Sequence, residues 1–178
     1  MTLKDKYNKK IIPELKERFN YKNNLECPKL VKAVINVGLG SGLKDTKYIE
    51  SVEKNLMAIT GQMPIKNKAK KSISGFKIRE GMTVGMSVTI RNDRMYDFVN
   101  KLINIVLPRI RDFRGISSKS IDENGNLTIG IKEHIVFLEI EMENVEKLHG
   151  LEISISTTAK NREEGLELFK LLGFPFKK

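Results

Sequence analysis

Cysteine is nearly absent from the chain, with Cys27 the only one in 178 residues. A single thiol forms no internal disulfide and no cysteine cage for zinc, so nothing indicates secretion or a structural metal, and a cytoplasmic location is expected. Histidine is also scarce. His134 and His149 stand fifteen residues apart with no cysteine or carboxylate at ligand spacing beside them. They read as satisfied surface or boundary side chains rather than as metal ligands or bases. No apolar run is long enough to span a bilayer, and the opening MTLKDKYNKK lacks the apolar core of a signal peptide. The first helix could lie on a membrane surface, but its polar face mixes Asp5, Glu14 and Glu17 with lysines, which weakens that role; no membrane partner is expected. Internal repeats, low-complexity tracts and long linkers are missing too, so residues 1–178 are expected to form one domain.

Catalytic patterns are equally thin. Gly38, Gly40 and Gly42 follow an expected strand and precede an expected helix, but Leu43 stands where a dinucleotide-binding turn needs glycine, and no acidic residue closes a second strand. The Gly-Lys-Ser/Thr ending of a nucleotide P-loop is missing as well. These glycines instead permit a tight turn and let backbone amides approach a phosphate closely. Glu139, Glu141 and Glu143 alternate, which places them on one face of an expected strand, yet no nucleophile or oxyanion donor accompanies them. A solvated edge is the better reading, and neither an enzyme nor a cofactor is expected.

What the chain does carry is positive charge, unevenly spread. Net charge is +10, with 40% hydrophobic and 30% charged residues, a balance that fits a folded core rather than a disordered tail. Residues 1–111 hold 23 Lys and Arg against 10 Asp and Glu, whereas residues 112–178 hold 9 against 12. The first part is therefore +13 and the second −3, which localises an anion-binding surface to the basic part. Its densest stretch is KNKAKKSISGFKIR, where Lys66, Lys68, Lys70, Lys71, Lys77 and Arg79 stand without an acidic residue around Ser74-Gly75-Phe76. Cations neutralise phosphates, and an exposed Phe offers a flat face on which a base of looped RNA can stack. The alternative is a solvated lysine-rich strand and loop.

Periodicity places these residues on elements. Leu3, Tyr7, Ile11, Leu15 and Phe19 mark a helix that Pro13 should kink. Val31 to Val37 alternates as a strand with Lys32 and Asn36 on its polar side. Asp45 or Thr46 caps a helix carrying Ile49, Val52, Leu56 and Ile59, which Gly61 stops. A second strand is expected from Gln62, with Met63, Ile65 and Ala69 on one side and Gln62, Lys66, Lys68 and Lys70 on the other. A third holds Val84, Met86, Val88 and Ile90 inward, with Thr89 and Arg91 on the polar face. Asp93 is expected to cap a helix ended by Pro108, and RIRDFRGISSKSIDENGN reads as a long connection closing in an Asn-Gly turn. Strands follow at Leu127 to Ile131, Ile135 to Met142 and Leu151 to Thr157, then a helix capped by Asn161 with Glu164 three residues on. The expected fold is α+β: an antiparallel β-sheet with helices packed on one face and the other face free for a ligand.

Taken in order, AVINVGLGSG, KAKKSISGFKIREGM, LPRIRDFRGIS, LTIGIKEHIVFLEI, STTAKNREEG and LLGFPF resemble, over essentially the whole chain, the bacterial form of a ribosomal protein family. It is the 5S rRNA-binding family of the large subunit's central protuberance, the fifth in the large-subunit numbering. The resemblance implies an RNA-recognition-like sandwich that binds 5S rRNA through the open sheet face and the loop after the first strand. Asn36, Gln62, Phe76 and Thr89 match the family's motif positions, with Lys32, Lys66, Lys68, Lys70 and Arg91 as phosphate contacts and Gly38 and Gly40 at the turn. It further implies that the 72–82 loop meets the P-site tRNA, and it adds as partners 23S rRNA, a small-subunit head protein across the subunit interface, and other 5S-associated ribosomal proteins. A freestanding RNA-binding regulator of the same fold, or an RNA-modifying enzyme, are the competing readings; the first would bind other RNAs as tightly, and the second needs a site this chain lacks.

Overall fold

The computed structural model describes residues 2–43, 45–140 and 147–177. Its order of elements begins with a helix, α1, that is α-helical over Leu3–Lys6, π-helical over Tyr7–Ile11 and α-helical again over Ile12–Phe19. Strand β1 (Leu30–Gly38), helix α2 (Thr46–Thr60), and strands β2 (Ile65–Lys68) and β3 (Thr83–Ile90) follow. Helix α3 runs as α over Asn92–Lys101, as π over Leu102–Val106 and as α over Leu107–Arg109. Strands β4 (Leu127–Ile131) and β5 (Leu151–Thr157) and helix α4 (Arg162–Leu172) complete the chain. The five strands form one antiparallel sheet in the order β2-β3-β1-β5-β4, which with four helices is the α+β fold expected.

Alternation decides which side of each strand is buried. Ala33, Ile35 and Val37 on β1, Met86, Val88 and Ile90 on β3, Leu127, Ile129 and Ile131 on β4, and Leu151, Ile153 and Ile155 on β5 are all buried. The residues between them, such as Asn36, Thr89, Thr128 and Glu152, are exposed. Period-two sequence thus becomes one dry and one wet face on four of the five strands.

Packing divides the chain into two compact units, one of Met1–Ala33, Ile90–Ile129 and Ser154–Lys178, the other of Val34–Thr89 and Gly130–Ile153. In the first, Leu3, Ile11 and Leu15 of α1, Met95, Phe98 and Leu102 of α3, and Leu168, Phe169 and Leu172 of α4 are buried. Its polar ties are specific: Arg18 pairs with Glu167, Lys4 with Asp93, and Lys6 Nζ donates to the Leu172 carbonyl at 3.2 Å, where the end of α4 presents unsatisfied oxygens.

At Pro13 the helix continues: a π turn precedes it, in which the Ile12 N–H donates to the Tyr7 carbonyl, so the chain stays helical where proline cannot donate. Three expectations are corrected here. Asp93 does not cap α3, because the cap position is Arg91 and the Asp93 carboxylate goes to Lys4. The expected strand at Ile135 to Met142 begins instead as a 3-10 turn, His134–Val136, while residues 141–142 lie outside the described residues. Glu139 is exposed, and Glu141 and Glu143 also fall outside them. The histidines are not at the surface: His134 and His149 are buried in the second unit with their rings stacked at 3.8 Å and 4° between planes.

Candidate nucleic-acid interface

In the second unit, β1 and β3 present a polar surface opposite the core. Asn36 and Thr89 are exposed, while Val34 and Ser87 are half-buried. Strand β2 extends this surface, but not as its alternation suggested. Its register pairs Ile65 with Ser87, Lys66 with Met86 and Asn67 with Gly85. Paired residues share a face, so Ile65 and Asn67 stand beside Ser87 on the open side, and Asn67 Nδ2 donates to Ser87 Oγ at 3.2 Å. Lys66 shares the core side with Met86, and its ammonium lies 2.8 Å from a Glu53 carboxylate oxygen on α2. The expected grouping of Lys66 with Asn36 and Thr89 is therefore reversed. Beyond a bulge Lys68 pairs with Thr83. Gln62 is no strand residue; it follows the Gly61 cap, and its N–H donates to Thr60 Oγ1 at 3.2 Å. Met63 and Ile65, expected inward, are about 70% exposed, at 71% and 69%. Ile65 is exposed because its register puts it on the open side beside Ser87, which the alternation of four residues alone cannot show.

The 69–82 loop is tied by its own backbone. Ala69 N–H donates to Met82 O at 2.8 Å, and Ile73 and Ile78 exchange hydrogen bonds of 2.9 and 3.2 Å. A 3-10 turn, Ser74–Phe76, crosses the tip and Lys77 closes it at φ +55°. Ser72 Oγ accepts from the Glu80 N–H at 2.9 Å. These bonds hold Phe76 out, at 71% exposure, among Lys71, Ser74, Gly75, Lys77 and Arg79, all exposed. Phe76 and Lys77 form one wall of an open groove of about 720 Å³, whose other walls are Gly40 and Gly42 of the turn after β1, Lys47 of α2, and Lys147. Asp45 on the same groove caps α2 by accepting from the Tyr48 N–H at 3.3 Å, and it sits 3.8 Å from the Lys147 ammonium. A side chain at Gly38 or Gly40 would meet nothing within 4 Å. The packing does not demand glycine there, so the turn is left bare toward solvent.

Two kinds of residue escaped the sequence reading. Lys47 and Lys147 join the groove from a helix start and from the acidic part of the chain, and regional charge counting hides the latter. Asn67 and Ser87 join the open face through register, which single-strand alternation cannot supply. Lys32 is half-buried on β1, and Lys70 and Arg91 are exposed. Among the described residues no group of three His, Cys, Asp or Glu is placed to hold a metal. Among the described residues no helix is long and apolar enough to cross a membrane.

Two family models match the chain in succession, one for Ribosomal protein L5 over residues 23–79 and one for the C-terminus of the same ribosomal family over residues 83–176. The chain belongs to the ribosomal protein L5 family. It is 54% identical over 176 residues to the large ribosomal subunit protein uL5 of Desulforapulum autotrophicum, covering 99% of this chain and 98% of that one. It is 51% identical over 174 residues to uL5 of Carboxydothermus hydrogenoformans, with 98% and 97% covered. With uL5c of Gracilaria tenuistipitata var. liui the identity is 55% over 175 residues and 98% of each chain. As an L5 family member the chain is a structural constituent of the large ribosomal subunit, not an enzyme, and acts in translation within the ribosome in association with ribosomal RNA.

Proposed function

We propose that this L5 family protein binds 5S rRNA through the open face of its sheet and the groove beside it, meets the P-site tRNA through the 72–82 loop, and contributes to an intersubunit bridge with a small-subunit head protein. The open face carries the reading. Asn36, Thr89, Ser87 and Asn67 set amides and hydroxyls on rigid strands, where they can hydrogen-bond base edges and 2′-hydroxyls, while exposed Ile65 and Met63 offer aliphatic surface to ribose. Lys68, Lys70, Lys71, Lys77, Arg79 and, at the groove, Lys47 and Lys147 supply cations for phosphates. Bare Gly38 and Gly40 let an RNA backbone come close to main-chain amides. Phe76 projects from the same groove as a stacking platform for a base of either RNA. Lys66, held by Glu53, contributes less than its neighbours.

Affinity for 5S rRNA should then be largely electrostatic. Neutralising about six phosphates predicts a fall of roughly a thousandfold between 50 and 200 mM salt. The measurement is a titration of 5S rRNA with the full chain at several salt concentrations, and a nearly flat dependence would overturn the reading.

A further inference from the structure

The second compact unit buries a pair of histidines that the sheet-face reading leaves unused, and one aromatic ring separates them from the groove. That ring belongs to the first turn of α2. Asp45 holds the cap position, where one carboxylate oxygen accepts from the Tyr48 N–H and the other faces the Lys147 ammonium at 3.8 Å. Tyr48 opens the buried stripe that continues through Val52, Leu56 and Ile59, so its ring turns inward. It fills the space beside the turn after β1: a Cβ at Gly42 would lie 2.0 Å from Tyr48 Cδ1. On another side His149 meets the ring edge-on at 6.4 Å, and His134, 0% exposed, stacks on His149 in turn. Asn55, two turns along α2 from Tyr48, sets its Nδ2 3.5 Å from His149 Nε2. The Lys147 ammonium stands 5.6 Å from the centroid of the same tyrosine ring. Three residues that meet Tyr48 in these contacts, Gly42, Asp45 and Lys147, line the groove.

We propose that Tyr48, braced by the His134–His149 stack, is a positioning residue for the groove: its ring sets where the Lys147 ammonium stands. The proposal rests on the reading above for what the groove receives. Lysine is a point charge on a flexible four-carbon stem, and an exposed one loses that freedom when it meets an anion. The face of a tyrosine attracts a cation without accepting hydrogen bonds from all its N–H groups, so Lys147 is held in place with donors left for a phosphate. A carboxylate alone would compete for those donors. Asp45 divides its oxygens between the helix cap and Lys147, and the latter contact is long. A ring free to swing could not do this work, and this one is wedged between the Gly42 backbone and the buried imidazoles.

Proton NMR of the full chain reads the positioning without RNA. A ring face moves the resonances of groups above it upfield, so the ε-methylene signals of Lys147, identified by their loss in Lys147→Gln, should lie upfield of those of lysines with no ring beside them. Tyr48→Phe should keep that shift and Tyr48→Leu should abolish it; His149→Ala, which removes the brace, should reduce it, and His149→Phe should retain it. Unshifted signals in the wild type, the same shift in Tyr48→Leu, or a full shift in His149→Ala would each overturn the proposal. Phosphate contact is then read from the log–log salt dependence of 5S rRNA affinity. Lys147→Gln should make the slope shallower by about one, Tyr48→Leu should do the same, and combining the two should change it no further. A tyrosine that served packing alone would leave the Lys147 step of about one intact in the Tyr48→Leu background, which also contradicts the proposal. If Tyr48→Leu unfolds early in a thermal scan, Gly42→Ala, whose methyl displaces the ring, takes its place in both arms. Unchanged slope and affinity in Lys147→Gln alone would contradict the groove as an RNA site, while the proton spectra still decide the positioning.

Discussion

His149 is held between Tyr48, which meets its ring edge-on at 6.4 Å, and the stacked ring of His134, with Asn55 Nδ2 at 3.5 Å from its Nε2. The backbone N–H and the carbonyl of His149 both lie 3.3 Å from His134 Nδ1, so the two residues are tied by main chain as well as by ring. Burial, with the neighbouring His134 ring adding to it, pushes the His149 imidazole down from 6.5 to about 4, and burial lowers His134 as well. A base with a depressed folded pKa is protonated more readily when unfolded. Its stability contribution is therefore whole above about pH 6.5 and is lost as pH falls through about 4. A shift of that size is on the order of 3 kcal/mol. Urea unfolding at pH 7 and pH 4 should show wild type losing about that much more than His149→Phe; equal losses would refute the stack as a neutral, buried pair. None of this was legible in the sequence, because fifteen residues of separation hide a contact that the fold makes.

Among the elements, the helices were written most plainly. The apolar stripe of α1 recurs every four residues, and on an α-helix of 3.6 residues per turn such a stripe drifts by about 40° each step. The π turn at Tyr7–Ile11 widens the helix within that stripe and keeps Leu3, Tyr7, Ile11 and Leu15 all buried. The caps Asp45, Gly61 and Asn161 also stand where the sequence places them, since each acts within one turn. Strand β2 was misread because facing is set by register with β3, a property of two strands. Helix α4 offers a sharp check. A Cβ at Gly165 would lie 2.4 Å from the Gly125 Cα, so Gly165→Ala should destabilise by about 1 to 3 kcal/mol despite alanine's helix preference of roughly 1 kcal/mol. A higher melting temperature for that variant would contradict the close packing of these two backbones.

At the scale of the whole molecule, the sequence shows a basic part and an acidic-leaning one, and family membership accounts for why a chain of net charge +10 has no catalytic group to go with it. Charge counting finds the lysine-rich loop but passes over Lys147 in the acidic part. Strand alternation finds Asn36 and Thr89, which the structure leaves exposed on adjacent strands of the sheet. If this rigid polar face reads 5S rRNA, as proposed, Asn36 is the exposed amide on which the contact depends most directly. The measurement is the affinity of Asn36→Ala for 5S rRNA at fixed salt, beside a thermal unfolding scan. The melting temperature should be unchanged and binding weakened by about 1 to 3 kcal/mol, as for a polar partner left unpaired at an interface. A folded Asn36→Ala protein with wild-type affinity would contradict it.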